Sequence, residues 1–148
     1  MSYLYVYLAC ATAMGWLDAS SVTSERLATC VAVGAGAIDE GVDHRLAIAL
    51  SYTESRFNPR AVSSAGALGP LQVKPVFHCP GGRVRGCDLI TAGLRAMKKY
   101  RKKYKRWPEA LCHWNSGNEC YPRSRRFARI VLKRRRALTL SKGDKGDG

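Results

Sequence analysis

Apolar positions along this chain recur at three and four residues, the period of helices that bury one face, and no stretch sustains the period of two that a half-buried strand shows. In 24–37 the residues are small and apolar at helical spacing, and Gly34 and Gly36 predict the end of that helix. After a short acidic link Asp43 stands where an N-cap belongs. Leu46, Leu50, Thr53 and Phe57 then recur at four, three and four residues, one buried stripe that Asn58-Pro59 terminates. Ala47, Ser51 and Glu54 form a second line on this helix, which places a carboxylate near its C-terminal end and off the stripe. There the helix dipole opposes a negative charge and favours the protonated acid.

Asp88 predicts the cap of a further helix in which Gly93, Met97, Tyr100, Tyr104 and Trp107 recur at four, three, four and three residues, an aromatic stripe read as core. Pro108 fits the first turn of a short helix through Trp114, ended by the polar turn Asn115-Ser116-Gly117-Asn118, and a basic helix follows over 124–138. Between them, 61–82 holds no period and is rich in Gly, Pro and Ser, which predicts a loop or a few very short elements. Connections of that length in compact domains usually line or cover a site. The fold class expected is therefore mainly α, with an irregular or short-β loop beside a groove.

The chain of 148 residues suffices for one domain, placed at 21–138. The apolar stretch 1–20 reads as a leader, a signal or anchor, or equally as a helix packed on the domain; it has small residues at Ala11-Thr12-Ala13 but no Lys or Arg before Arg26. The final 139–148 has no apolar anchor and reads as a disordered tail.

Charge changes this picture. With 25 Lys and Arg against 11 Asp and Glu, the net charge of +14 draws the chain to polyanions: nucleic acid, anionic membranes or envelope polymers. Runs at 98–106 and 133–136 read first as solvated faces, with an electrostatic role beside that. Six cysteines point to an oxidising compartment. The simplest pairing joins Cys79 to Cys87, Cys112 to Cys120 and Cys10 to Cys30; cleavage of a leader would remove the last, and reduced thiols remain the alternative. No Cys-x-x-Cys occurs and the histidines are scattered, so no metal is expected.

The chemistry is concentrated in Glu54-Ser55-Arg56-Phe57-Asn58-Pro59-Arg60-Ala61-Val62-Ser63, followed by Gly66-Ala67-Leu68-Gly69-Pro70-Leu71-Gln72 and, later, by Ala110-Leu111-Cys112-His113-Trp114-Asn115-Ser116-Gly117. The first two stretches resemble the signature of soluble lytic transglycosylases, the lysozyme-like SLT domain family. In that family a Glu-Ser pair ends a helix, an Asn-Pro-x-Ala-x-Ser stretch follows, and a Gly-Ala-x-Gly-Leu-Met-Gln loop closes the motif. Here Pro70 replaces the usual Leu and Leu71 the usual Met. The third stretch is similar to the family's Ala-x-x-Tyr-Asn-x-Gly turn, with Trp114 for Tyr, and the motifs come in the family's order over about 41–131. A late family aromatic, often Tyr, has Phe127 as its counterpart here; if that Tyr's hydroxyl orients the acid in the family, this chain does without it or uses another donor, with Tyr121 a candidate.

The resemblance implies a lysozyme-like single domain and a peptidoglycan lytic transglycosylase. It would cleave the β-1,4 bond between MurNAc and GlcNAc to leave 1,6-anhydro ends, with Glu54 as acid and then base. A carboxyl kept protonated near neutrality suits that chemistry, and the motifs hold no second acid, as expected when the substrate's own 6-hydroxyl attacks. Ser55, Gln72 and Asn115 would then contact the sugar, and Leu71 and Trp114 would form apolar walls. Taken singly, Glu54 could be a surface charge, Gln72 and Asn115 could satisfy turn backbone, and His113 reads as packed or solvated. A muramidase hydrolysing the same bond, a decayed glycan binder and a basic nucleic-acid-binding protein are the alternatives, the last without a recognised motif. The expected partners are peptidoglycan strands and neighbouring anionic polymers. A monomer is expected, without obligate nucleic acid or cofactor, exported to the periplasm or cell wall or, if phage-encoded, virion-associated.

Overall fold

The structure, a computed structural model, describes residues 3–138; the tail read at 139–148 lies outside the described residues. Its helices are α1 (Leu4–Met14), α2 (Ser24–Glu40), α3 (His44–Ser55), α4 (Pro75–His78), α5 (Leu89–Tyr104), α6 (Trp107–Ser116) and α7 (Pro122–Ala137). Isolated bridges Val62 to Leu68 and Leu68 to Val73 supply the only β pairing among the described residues. The mainly α class is thus observed, and the short-β loop lies where the period fails.

Helix α3 is the centre. It packs on α1, α2 and α7, while α6 lies between α5 and α7. A helix enclosed by several neighbours loses its polar face, and every residue from Leu46 to Tyr52 is buried rather than the single stripe expected. One core joins Leu46, Leu50, Leu71, Leu94, Met97, Leu111 and Val131. A second gathers Val6, Cys10, Ile48, Phe57 and Leu138 on the other side of α3. Each of the large side chains contributes about 1.5–3 kcal/mol by leaving water. The apolar segment read as leader or packed helix forms α1, which lies on α2 and is bonded to it through Cys10 and Cys30.

Caps lie where the short polar residues predict them. Asp43 Oδ1 accepts from the amides of Arg45 and Leu46, and Asp88 Oδ1 from those of Ile90 and Thr91. Asp43 also reaches across to α7, where its Oδ2 receives Arg135 from both Nε and Nη2 at 2.6 Å, and the Arg135 side chain is only 9% exposed.

Two boundaries differ from the reading. Helix α2 runs through Gly34 and Gly36 to Glu40 and stops at Gly41, which takes the left-handed conformation (φ 71°). The two earlier glycines serve packing, since a Cβ at Gly34 would stand 2.6 Å from Val6 Cγ1 and one at Gly36 3.0 Å from Leu94 Cδ1. Trp107, read as the last residue of the aromatic stripe, instead opens α6, because the chain reverses at Lys105 with φ 72°.

Gly93 seats the groove loop on α5. A Cβ there would lie 2.6 Å from Leu71 Cδ1 and 3.2 Å from Val73 Cγ1, both core residues. Gly93→Ala is expected to cost about 1–3 kcal/mol by overpacking, despite the better helix propensity of Ala; a denaturant midpoint at or above that of the wild type would refute this packing role.

The pairs Cys79 to Cys87 and Cys112 to Cys120 are also bonded. Among the described residues no helix is long and apolar enough to cross a membrane.

Candidate active site

Glu54 stands two residues beyond the buried run of α3, in the helix's last turn, and the chain turns sharply just after it. Arg56 and Phe57 both take positive φ (53° and 62°), a conformation that costs non-glycine residues energy and persists only when fixed by surroundings. Here Arg26 Nη1 donates to the Arg56 carbonyl at 2.8 Å, and Phe57 is wholly buried against Tyr52.

The groove loop is fastened to this helix end by hydroxyls. Ser51 Oγ and Ser55 Oγ both donate to the Pro70 carbonyl, at 3.0 and 2.8 Å. Ser55 Oγ also lies 3.1 Å from the Ser51 carbonyl, so the hydroxyl expected to face sugar is turned toward its own helix and the loop. Gln72 sits at φ 55° and its Nε2 donates to the carbonyls of Ala61 and Gly69, at 3.1 and 3.0 Å, which braces the loop internally. Leu71, expected as a groove wall, is fully buried and holds the loop from below. Ser51 was visible on the line of Glu54, three residues before it, but its partner 19 residues away was not.

Trp114 closes the other side. Its Nε1 donates to Glu54 Oε2 at 3.1 Å. The indole is more than the apolar wall expected, since it supplies the donor sought in Tyr121, which is exposed and donates to Glu119 at 3.3 Å instead. Phe127 packs against the core. Tyr100 meets the indole edge to face at 5.5 Å, and His78 lies nearly parallel to it at 6.4 Å. The disulfide between Cys112 and Cys120 ties the turn that follows Trp114 back to α6.

These side chains border a cavity of about 320 Å³, lined among others by Gln72, His78, Tyr100, Trp114 and Asn115. Gln72, Trp114 and Asn115 are therefore brought together, with Glu54 one hydrogen bond behind the indole. Phe77, 72% exposed, lines the same cavity. Sequence alone did not single out Phe77, His78 or Tyr100 for the site, because a four-residue helix carries no period and Tyr100 shares its spacing with core positions.

Burial pushes the Glu54 carboxyl up to about 7, against the opposing effect of the Trp114 hydrogen bond, which favours the ionised form. At neutral pH roughly half the molecules hold the proton. Burial, then Lys99, keeps His78 below its usual value, which favours the neutral ring beside Trp114. No Asp or Glu is among the residues lining this cavity.

One group of potential metal ligands converges among the described residues, Glu109, His113 and Cys120. Cys120 is committed to its disulfide, His113 Nδ1 is 2.6 Å from the Gly117 carbonyl, and Glu109 pairs with Arg125 at 3.3 Å.

Trp114→Phe keeps a ring and removes the donor. Loss of a bond that favours the carboxylate raises the Glu54 pKa further, so the falling limb of the pH–rate profile is expected to move up by roughly one unit. An unmoved limb with a lower rate would leave Trp114 a packing role only.

Searches of curated proteins and of solved structures found no match. The family model described as the transglycosylase SLT domain matches residues 32–132, a span that begins in α2, ends in α7 and includes Glu54, the groove loop and Trp114. With more than half of its length matched, the chain belongs to the transglycosylase SLT domain family, whose members act on the glycan strands of peptidoglycan.

Proposed function

We propose that the protein is a lytic transglycosylase that opens peptidoglycan strands locally at the cell wall, with Glu54 as its single acid and base. What supports this reading most is the geometry of one carboxyl: burial pushes Glu54 up to about 7, Trp114 donates to it at 3.1 Å, and the cavity that Trp114 lines is bordered by no Asp or Glu. Hydrolysing glycosidases commonly use two carboxyl groups, one for the leaving oxygen and one for water or the anomeric carbon. With one, a hydroxyl of the substrate itself can furnish the nucleophile.

Glu54 gives its proton to the glycosidic oxygen as the C1–O bond breaks, releasing the GlcNAc 4-hydroxyl. The resulting carboxylate takes the proton of the MurNAc 6-hydroxyl, whose oxygen bonds to C1 and closes the 1,6-anhydro ring. Glu54 ends protonated, ready for another cycle. Asn115 and the free oxygen of Gln72 supply polar contacts, and Phe77 and Trp114 offer apolar faces to the sugars.

The test is mass analysis of soluble products from purified peptidoglycan treated with wild type and Glu54→Gln. Anhydro-muropeptides from the wild type alone are expected. Reducing ends would move the reading to hydrolysis, and no Glu54-dependent release would end the catalytic assignment.

A further inference from the structure

The rim of the groove carries charge that the cleavage step does not use. Lys74 and Arg123 line the cavity beside Trp114. A shallower recess of about 180 Å³ shares Tyr100 and Gly117 with it and is lined by Lys99 and Lys103. All four cations are exposed, and none has an ion-pair partner among the described residues. What sets these four apart is their place on the groove: Lys74 and Arg123 border the cavity beside Trp114, and Lys99 and Lys103 the recess that adjoins it. The groove therefore joins an aromatic floor suited to sugars to a rim of unpaired positive charge.

In a peptide-bearing strand the sugars are neutral, because the lactyl carboxyl of MurNAc is held in the amide to the stem peptide. A denuded strand carries that single carboxylate close to the ring, whereas a stem peptide carries several farther out. The carboxylates of a peptide-bearing strand sit on the stem peptides attached to the lactyl group of MurNAc, and so project beside the glycan chain. Resting on the catalytic reading above for the identity of the glycan, we propose that Lys74, Lys99, Lys103 and Arg123 receive stem-peptide carboxylates, making peptide-bearing strands the preferred substrate over denuded ones. The four cations act as a specificity element. They draw the strand in and fix which residues lie across Trp114, and they take no part in proton transfer.

Such exposed contacts are individually weak and screened by salt. Together a pair accounts for roughly fivefold in affinity, and because it acts equally on bound substrate and transition state it changes KM and leaves kcat.

The experiment uses Glu54→Gln protein and peptidoglycan stripped of secondary anionic polymers, either intact or denuded by an amidase, in cosedimentation at low and high salt. Tighter binding to the intact form is expected, lost at high salt and reduced about fivefold by Lys99→Gln with Lys103→Gln. Lys133→Gln with Arg136→Gln, near the far end of α7 from Arg123, should leave the preference unchanged. Equal binding to both polymers, or equal losses from the rim and distal pairs, overturns the proposal. Product release by the wild type is followed in parallel, so a failure of catalysis is seen apart from a failure of stem-peptide recognition.

Discussion

Glu54→Gln is expected to lower cleavage by about a thousandfold and, at pH 8, to make the protein more stable. Both effects come from the same burial. The folded pKa of about 7 lies above the unfolded value of 4.5, so the folded state holds this proton more tightly than the unfolded chain. The sign follows: the folded state carries no penalty for Glu54 below about pH 4.5, and stability falls as pH rises to about 7, where the buried carboxyl must ionise. A difference of that size corresponds to about 3 kcal/mol above pH 8, or roughly 10 °C in melting temperature for a domain of this length. The neutral amide avoids the cost. Thermal unfolding of the two proteins at pH 5 and pH 8 checks it: the melting temperatures should lie close together at the lower pH and separate at the higher. A separation that does not grow with pH would place Glu54 in a more solvated setting than its burial indicates.

Asp43→Asn is expected to destabilise the protein by about 3–5 kcal/mol, with little direct effect on the groove. Asn caps a helix as well as Asp does, so the amides of Arg45 and Leu46 keep an acceptor. The loss falls on Arg135, whose buried guanidinium is left without its counter-charge. Asp43→Ala should cost about 1 kcal/mol more, for the cap. Adding Arg135→Met to Asp43→Asn removes the stranded charge and should restore much of the loss. Urea denaturation of the set measures each step; a single variant within about 0.5 kcal/mol of wild type would mean that water reaches Arg135 freely.

Much of the candidate site was legible because its motifs are local. Glu54, Ser55, Gln72, Trp114 and Asn115 were each identifiable from residues within a few positions, and the caps Asp43 and Asp88 act on amides two and three residues ahead. What sequence left hidden depends on partners distant in the chain. Gly34 and Gly36 looked like a helix end, since Val6 and Leu94, which need their missing side chains, lie elsewhere. Leu71 looked like a wall because it takes the place of the Met in the family's loop, whereas the loop turns it inward onto Gly93. The Trp114 bond to Glu54 spans 60 residues. Its chemistry was foreseeable in kind, a donor replacing a missing hydroxyl, but the side chain supplying it was not.

The three disulfides join each cysteine to the next one along the chain: Cys10 to Cys30, Cys79 to Cys87 and Cys112 to Cys120. Their loops neither overlap nor nest. Any bridge can therefore close without waiting for another or threading through it, and short loops are the ones that random encounter closes most readily. A chain entering an oxidising compartment from its N-terminus would meet each correct partner before any wrong one, so it reaches the native set with little need for reshuffling by an isomerase.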